Sequence, residues 1–442
     1  MIRVKLSYFV ALVCSLFFAC VTRELGITLN DPSKILPVLV VFGKVGLDSR
    51  EHKAILPLFN EVWNDVGSKS YPREDGKKIL LKHAGEIKFS IFEDGRFIAS
   101  VRGVSPGFHQ LVDLFFDKML NPVFDPITLD LQKKLVCENL LRNREKPINL
   151  ALITTRFFLF ENYQLLNCED VASVDVSTIE TIHRKLKFVS IEYLINRPTS
   201  SDLGIISDSL KKLPKSQVFT EYRIPKLKKT KVIWVEGPFS QTTTLLASPT
   251  EALNGEHRYF LKLFELLLSG DFDSPIFKSI RSEEGLAYMA HAGWAADFEK
   301  GFFYMLSQHS LDKLPEVLVR IKEVFSSISS ESLGEEIRKV WLRESRRLAF
   351  RLESPFDYEL SQGINRIFRI PKNDDERFLN FVRAVSPLTV AQNFKNLVDF
   401  ASDKPLVLVI VHRDNPVNLV SHVLKDFEFL RAKFDDKFKL IY

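Results

Sequence analysis

Hydrophobic residues along the first half of this chain change repeatedly from strand spacing to helix spacing. Phe89 and Ile91, and then Phe97 and Ala99, alternate with more polar positions, and the intervening Glu93-Asp94-Gly95 is typical of a hairpin turn. The predicted elements, in chain order, are a strand at 35–42, a helix at about 51–66, strands at 87–92 and 96–101, and helices at 108–120 and 128–144. This order predicts an α+β domain whose sheet buries one face.

The second half of the chain carries a similar series of elements. A stretch at 211–230, which includes the basic run KLKKTK, replaces the apolar pattern with Lys, Pro and Ser and predicts a linker. The elements predicted after it are two strands within 231–248, a helix at 257–269, strands at 286–289 and 301–308, a helix at 313–325, a helix-rich region at 354–404 and a strand at 406–411. We therefore expect a leader at 1–20, one domain at 21–210 and a second at 231–442.

The segment 274–288, SPIFKSIRSEEGLAY, points to chemistry. Apolar residues recur at helix spacing up to Ile280, and Gly285 is expected to end that helix in the left-handed conformation. Arg281 and Tyr288 would then face one space from a helix end and a strand start. An Arg fork and a phenol hydroxyl suit a peptide carbonyl and the oxyanion that forms when it is attacked. The alternative is an Arg281 paired with a surface carboxylate and a Tyr288 half-buried in a strand.

This segment resembles the Leu-Arg-Glu-x-x-Gly-Leu-Ala-Tyr motif in the C-terminal domain of pitrilysin/insulinase-type zinc peptidases, and the resemblance covers nearly all of residues 228–414. It implies two similar α+β domains of roughly 200 residues, each an antiparallel-rich sheet with helices packed on one face, as in mitochondrial processing peptidases. It also implies that Arg281 and Tyr288 hold substrate. In this family the first domain carries an inverted zinc motif, H-x-x-E-H, with another Glu ligand far downstream.

The family's zinc motif falls on residues 58–62 of this chain when residues 67–70 are laid on the family's Gly-Thr-Lys segment. Both histidine positions then hold aliphatic residues, Leu58 and Val62, which cannot bind a metal. Glu61 stands at the general-base position and Glu138 lies within one residue of the distal ligand position; each is either a remnant of a catalytic ancestor or a solvated helix residue. The nine histidines include no tight ligand spacing. We expect no zinc and no hydrolytic centre in this chain.

Loss of both histidines beside a retained Arg281 and Tyr288 is the pattern of a non-catalytic subunit, because members of this family form pairs in which only one chain holds zinc. The resemblance thus implies a heteromeric peptidase, in which a homologous partner supplies zinc and this chain holds a peptide or unfolded polypeptide. The alternative is a stand-alone peptide-binding or scaffold lipoprotein derived from a peptidase. A third hypothesis is a hydrolase with unrecognised metal ligands.

The N-terminus has the pattern of an export leader. Arg3 and Lys5 precede an apolar run at 6–18, which is shorter than the roughly 20 residues that a spanning helix needs. A small residue, Ala19, stands directly before Cys20, so the end of this run resembles a relaxed bacterial lipobox. That resemblance implies cleavage before Cys20, lipid attachment to it, and a location at the periplasmic face or cell envelope. Ordinary signal-peptidase cleavage is the alternative.

Composition sets two further limits. The 442 residues are 45% hydrophobic and 26% charged, which is ordinary for a globular protein, and the net charge of +5 is spread along the chain. Nucleic acid is therefore not an expected partner. Beyond the leader and Cys20, only Cys137 and Cys168 remain. They either form one disulfide in an oxidising compartment or serve as small core residues.

Overall fold

The computed structural model describes residues 25–46, 53–160, 163–215, 224–270, 274–282, 285–398, 400 and 404–442. The predicted leader, with Cys20, lies outside these residues, and so does the middle of the predicted linker. No helix in the described ranges is both long enough and apolar enough to span a bilayer. We refer to residues 25–215 as the N-terminal half and to residues 224–442 as the C-terminal half.

The N-terminal half is built on a five-stranded sheet with the strand order β1-β7-β2-β5-β4. The elements are β1 (Leu25–Leu29), β2 (Val38–Gly46), α1 (Leu56–Asp65), β3 (Gly67–Ser68), α2 (Arg73–Lys82), β4 (Glu86–Ile91), β5 (Arg96–Arg102), α3 (Phe108–Leu120), β6 (Pro122–Val123), α4 (Pro126–Asn143), α5 (Pro147–Leu159), α6 (Cys168–Ser173), α7 (Val176–Lys185), β7 (Lys187–Asn196) and α8 (Ser200–Leu210). Strand β1 runs parallel to β7, and the other neighbours are antiparallel. Strand β4 is therefore at one edge of the sheet.

The C-terminal half is built on a seven-stranded sheet with the order β10-β11-β9-β12-β8-β13-β14. Its elements are β8 (Thr230–Glu236), β9 (Thr242–Thr250), α9 (Arg258–Ser269), a π-helix (Phe277–Ser282), β10 (Met289–Ala296), β11 (Gly301–His309), a short 3-10 helix (Leu311–Lys313), α10 (Leu314–Ser327), α11 (Ser330–Leu352), α12 (Pro355–Ile367), α13 (Asp374–Ala384), α14 (Pro387–Leu397), β12 (Val407–His412), α15 (Val417–Ser421), β13 (Phe427–Phe434) and β14 (Leu440–Ile441). Strand β8 is parallel to both β12 and β13. Strand β10 is at one edge.

Each sheet has one face covered by helices of its own half. In the N-terminal half, Val41 and Phe97 of the central strands pack with Phe59 of α1. In the C-terminal half, Leu408 of β12 packs with Phe264 of α9. These two clusters account for the strand and helix periodicities seen in the sequence, since the inward residues of both element types meet there.

The opposite face of each sheet is covered by a helix from the other half. Helix α12 packs on β2 and β7, where Phe356 joins Phe42 in one apolar cluster. A Cβ at Gly363 would lie 2.5 Å from the Phe42 ring, so glycine permits this close approach. Helix α5 packs on β9 and β12, where Leu159 joins Val409. Burial on both faces explains why β2 and β12 are almost continuously apolar.

Most of the predicted elements are confirmed, with bounds that shift by a few residues. Helix α3 has the predicted limits, and the helix predicted at 257–269 is α9. Helix α1 begins at Leu56, later than predicted. The strand predicted at 286–289 begins only at Met289, because the N–H groups of Leu286 and Ala287 bond back to the carbonyl of Ile280. Strand β1 and the β13–β14 hairpin were not predicted.

A disulfide joins Cys137 of α4 to Cys168 at the start of α6, with Cα atoms 5.2 Å apart. The N–H of Cys168 also donates to the carbonyl of Lys437 in the C-terminal half at 2.8 Å. Beside it, Glu169 forms an ion pair with Lys437. Of the two alternatives for these cysteines, the disulfide is the one observed. It ties α6, and with it the C-terminal hairpin, to the long helix α4.

Candidate functional site

Helix α1, for which the sequence predicts the position of the family's zinc motif, is part of the N-terminal core. Leu58 and Val62 are both fully buried. The residues that directly follow them, Phe59 and Trp63, are buried as well. The Trp63 ring stacks on Phe89 of β4 with ring centroids 4.6 Å apart. The two positions predicted to correspond to the zinc-binding histidines therefore point into packed apolar side chains, and they contribute to the stability of the fold.

The two carboxylates considered as remnants of a zinc site, Glu61 and Glu138, are both exposed. Glu61 lies on the solvent side of α1. Glu138 follows the buried Val136 by two residues, which places it on nearly the opposite side of α4. Helix α4 instead contacts α1 through Gln132, so Glu138 points away from that contact. Within the described chain, no hydrogen bond or ion pair involves either carboxylate, as expected for solvated helix residues.

Two residues that the sequence analysis did not single out, Asn60 and Asn64, cover the edge strand β4. The Asn60 amide donates to the carbonyl of Ile91 at 2.9 Å and accepts from its N–H at 3.0 Å. The Asn64 amide bonds Phe89 in the same way, at 2.9 and 2.7 Å. The spacings match, because helix residues i and i+4 are about 6 Å apart along the axis and strand residues i and i+2 about 6.7 Å. These backbone groups of β4 are thus already paired.

Charged side chains fix the C-terminal end of α1. Arg73 Nη2 lies 2.6 Å from Asp65 Oδ2, and Gln132 donates to the same oxygen at 3.1 Å. Burial acts to raise the pKa of Asp65, but the hydrogen bonds from Arg73 and Gln132 outweigh it and lower that pKa. Lys118 donates to the carbonyl of Asn64, and burial lowers the pKa of its ammonium to about 8. The end of α1 is therefore held by both α3 and α4.

The segment between α9 and β10 forms a loop that is closed at its base. It begins with the π-helix, Phe277–Ser282, and Gly285 has φ = 58°, the left-handed conformation predicted for it. The carbonyl of Ile280 accepts hydrogen bonds from the N–H groups of Leu286 at 3.0 Å and Ala287 at 3.2 Å. All three of these apolar side chains are buried. The loop is therefore anchored in the core at the two points that flank its tip.

Arg281 and Tyr288 directly follow the two anchored ends of this loop. Arg281 is exposed, and its guanidinium carbon lies 4.9 Å from the centre of the Phe277 ring. Tyr288 is 71% exposed, and its N–H donates to the carbonyl of Gln308 at 2.8 Å. The interpretation of Tyr288 as a half-buried strand residue is wrong, since it is exposed and precedes β10. A Cβ added at Gly285 would meet no atom within 4 Å, so the space beside the loop is open.

Helix α9 lies along β10 much as α1 lies along β4. The Ser269 hydroxyl accepts a hydrogen bond from the N–H of Ala292, and the Glu265 carboxylate accepts one from the N–H of Trp294. As on α1, the two side chains are four residues apart. Burial raises the pKa of Glu265, and the bond from Trp294 offsets part of this shift. Helix side chains thus hold both edge strands, but with different chemistry.

In the described ranges, no group of three or more His, Cys, Asp or Glu side chains is arranged to hold a metal ion. Two histidines are buried in the C-terminal sheet, and their rings have protein partners. His309 Nε2 lies 2.9 Å from the hydroxyl of Thr244, and His412 Nε2 lies 3.1 Å from the carbonyl of Ser240.

The open loop offers a different chemistry. Arg281 and Tyr288 can both donate hydrogen bonds to a ligand.

Comparison with known proteins agrees with these features. Residues 203–339 match the family model described as Peptidase M16 inactive domain. Among solved structures, the chain is similar to the peptidase M16 inactive domain from Pseudomonas fluorescens. The two are 16% identical, with a TM-score of 0.74 over 88% of this chain and 95% of that one.

Two larger proteins contain the same fold. One is the periplasmic protease PqqL from Escherichia coli, with a TM-score of 0.68, 12% identity, and coverage of 87% of this chain and 44% of that one. The other is the ferredoxin protease FusC in complex with Arabidopsis ferredoxin, with a TM-score of 0.66, 11% identity, and coverage of 88% and 44%. This chain spans less than half of either protein. The α+β fold and the resemblance to a zinc-free pitrilysin-type protein are confirmed, and the match to an inactive domain supports a non-catalytic, peptidase-like protein.

Proposed function

We propose that this chain is the non-catalytic, substrate-binding subunit of a heteromeric pitrilysin-type zinc peptidase. It holds a peptide or unfolded polypeptide through Arg281 and Tyr288, while a homologous partner chain supplies the zinc. One contrast carries the proposal: Leu58 and Val62 are fully buried, whereas Tyr288 is 71% exposed beside an open loop.

The geometry of the loop suits a role in holding a peptide backbone. The guanidinium of Arg281 lies over the Phe277 ring, which orients the fork while its N–H groups remain donors. Tyr288, at the other end of the same loop, is 71% exposed. Peptide carbonyls are acceptors for both groups, and charge-assisted bonds from Arg are stronger than neutral ones. The anchored base of the loop limits the entropy that is lost when a peptide is bound.

The proposal includes export and a membrane tether at Cys20. The disulfide between Cys137 and Cys168 supports an oxidising compartment, because structural disulfides are rare in the cytosol. A protein with a similar fold, PqqL, is a periplasmic protease. We therefore propose a location at the periplasmic face of the membrane, with lipid on Cys20 as the anchor.

The test is peptide cleavage by this chain co-expressed with a homologous chain that carries H-x-x-E-H. Arg281→Ala and Tyr288→Phe are each expected to lower kcat/KM by about 10- to 100-fold, because each removes a hydrogen bond to the bound peptide. Arg338→Ala and Tyr442→Phe are matched controls, since both residues are similarly exposed elsewhere. The controls should leave cleavage unchanged.

Unchanged cleavage by both loop variants would reject the substrate-binding role. If no zinc-bearing chain co-purifies, but this chain alone binds peptide and loses binding in Arg281→Ala, the stand-alone peptide-binding protein replaces the subunit. Near-stoichiometric zinc in the chain purified alone would contradict the alignment of Leu58 and Val62 with the metal positions.

A further inference from the structure

A cleft of about 690 Å³ is lined by parts of both halves of the chain. Leu440 of β14 lines it, and so do Gln164 and Leu165 of the segment that follows α5. Phe157 of α5 provides an apolar wall, and the ring of Tyr442 lies against the Phe157 ring with centroids 5.5 Å apart. Cavities of this size with aromatic and polar linings are typical of ligand-binding sites.

Strand β14 presents unpaired backbone groups at the edge of its sheet. Among the described strands its one neighbour is β13. The N–H of Asp435 donates to the carbonyl of Lys439 at 3.0 Å, so the backbone of Lys439 faces β13. Backbone groups of successive residues point to opposite edges of a strand. The N–H and the carbonyl of Leu440 therefore point away from β13, as a donor and an acceptor for a further strand.

The segment 164–166 also has backbone groups without a partner. In the part of the chain that the structure describes, no hydrogen bond involves the backbone of Gln164, Leu165 or Leu166. Leu166 is nevertheless buried, and unpaired backbone groups are unfavourable in such a place. Two residues further on, the N–H of Cys168 donates to the carbonyl of Lys437 at 2.8 Å. The segment and the C-terminal hairpin are therefore tied to each other beside the cleft.

The lining of the cleft carries little free charge. Its two charged side chains have partners in the protein, since Asp170 accepts from the amide of Asn167 at 2.6 Å and Lys439 lies 3.5 Å from Glu169. The remaining polar side chains of the lining are uncharged, namely Tyr163, Gln164, Asn167, Ser173 and Thr178. A ligand is therefore recognised through hydrogen bonds and shape, and it needs no net charge.

We propose that this cleft binds an extended segment of another polypeptide, which pairs with the outer edge of β14 and with the backbone of residues 164–166. Pairing with main-chain groups supplies affinity, and the wall at Phe157 accepts an apolar side chain. Because the hairpin and the segment are tied together, little entropy is lost on binding. The inference does not depend on the proposed function, since Arg281 and Tyr288 lie next to β10 at the opposite edge of the sheet.

The test is fluorescence anisotropy with a fluorescein-labelled peptide of about six alternating threonine and valine residues, which is roughly 20 Å long when extended. The parent chain carries Arg281→Ala with Tyr288→Phe, so that the proposed substrate site does not contribute. We expect a dissociation constant on the order of 10 µM. Leu440→Pro removes the outward N–H and leaves the bonds to β13 in place, so binding should weaken about tenfold. Leu440→Val keeps the N–H and should bind like the parent chain.

A second measurement changes the peptide and leaves the protein as it is. N-methyl groups on alternate residues remove the donors along one edge of the peptide. Because the cleft pairs with both edges, binding should weaken at least about tenfold. This arm decides the question if circular dichroism shows that Leu440→Pro is unfolded.

Three outcomes would overturn the proposal. The first is a parent chain that does not bind the peptide at concentrations up to about 1 mM. The second is equal affinity of Leu440→Pro and Leu440→Val, or of the methylated and unmethylated peptides. The third is a dimer in sedimentation velocity that Leu440→Pro dissociates, because the edge of β14 would then pair with a second copy of this chain.

Discussion

The two halves of this chain both hold an edge strand with a neighbouring helix, but they do so to different extents. In the N-terminal half, Asn60 and Asn64 satisfy two N–H and two C=O groups of β4. In the C-terminal half, Ser269 and Glu265 accept from two N–H groups of β10. The asparagine side chains therefore both donate to and accept from β4. The oxygens of Ser269 and Glu265 accept from β10.

The two halves also differ in the segments that lie beside these edge strands. Around β4, helix α1 is packed in the core, its Asn60 and Asn64 side chains bond the strand, and its C-terminal end is held by charged residues. Next to β10, the described residues of the loop with Arg281 and Tyr288 are anchored at its base, and these two polar side chains are exposed to solvent. Helix α1 thus contributes apolar side chains to the core, whereas the loop leaves an arginine and a tyrosine accessible to solvent.

The largest expected effect comes from restoring histidines to α1. Leu58→His with Val62→His should lower the free energy of unfolding by more than about 4 kcal/mol, because two aliphatic side chains are lost from the core and two imidazoles are buried. Urea unfolding followed by circular dichroism measures this loss. We expect that added zinc does not restore it, since the positions point into packed side chains.

The corresponding positions of α9, Leu263 and Leu267, provide the comparison. Each lies two residues before a side chain that bonds the edge strand, as Leu58 and Val62 do in α1. Leu263 and Leu267 are both buried. Histidine at Leu263 and Leu267 should cost a similar amount. A markedly smaller loss in α1, or tight zinc binding there, would show that α1 still has the architecture of a metal site.

A smaller effect is expected from the side chains that hold the edge strands. Asn64→Ala leaves the N–H and C=O of Phe89 unpaired and should cost about 2 kcal/mol, whereas Ser269→Ala releases one N–H and should cost about 1 kcal/mol. Urea unfolding gives the totals, and hydrogen exchange at Phe89 and Ala292 locates the change. Asn393→Ala is the control, because that amide contacts only the backbone of its own helix. Equal losses of stability in Asn64→Ala and Ser269→Ala would show that the two edge strands are held to the same extent.

The smallest expected effect is a difference between the two halves in how their stability depends on pH. Burial raises the folded-state pKa of Glu265, so its charge destabilises the fold above that pKa, and the penalty disappears as the pH falls toward the ordinary 4.5. Asp65 has a lowered pKa, so its stabilisation persists above the ordinary 3.8 and is lost only as the pH falls below it. Acidification from pH 7 to 4.5 should therefore protect β10 and leave α1 unchanged.

Hydrogen exchange at Trp294, corrected for the intrinsic effect of pH, measures this difference. In Glu265→Gln the gain in protection at low pH should be absent, because the amide does not titrate. If Glu265→Gln gains as much protection at low pH as the unchanged chain does, another titrating group causes the effect.

Local patterns predicted the elements and the loop better than they predicted the contacts between distant segments. The limits of α3 and the left-handed Gly285 follow from helix periodicity and from glycine's conformational freedom, which are both local properties. The placement of Leu58 and Val62 in the core was also within reach, since both share the helix face of Phe59. The spacing of Asn60 and Asn64 was a visible signal, but its meaning required knowing that β4 is at an edge.

Other features depend on parts of the chain that are far apart in sequence. The apolar runs of β2 and β12 indicate burial on both faces, but they do not show which helix covers the second face. The pairing of Cys137 with Cys168 required a distance that spacing alone does not provide. The exposure of Tyr288 depended on the bonds to Ile280 that delay the start of β10.

The exchange of α5 and α12 between the halves sets an order in which the protein can be completed. Strands β2 and β7 leave the ribosome long before residues 355–367, which cover their outer face. Until α12 arrives, the ring of Phe42 and its apolar neighbours have no cover from their own half. The core of the N-terminal half therefore cannot be completed until about four-fifths of the chain has been synthesised, because the helix that covers the outer face of its sheet is made only then.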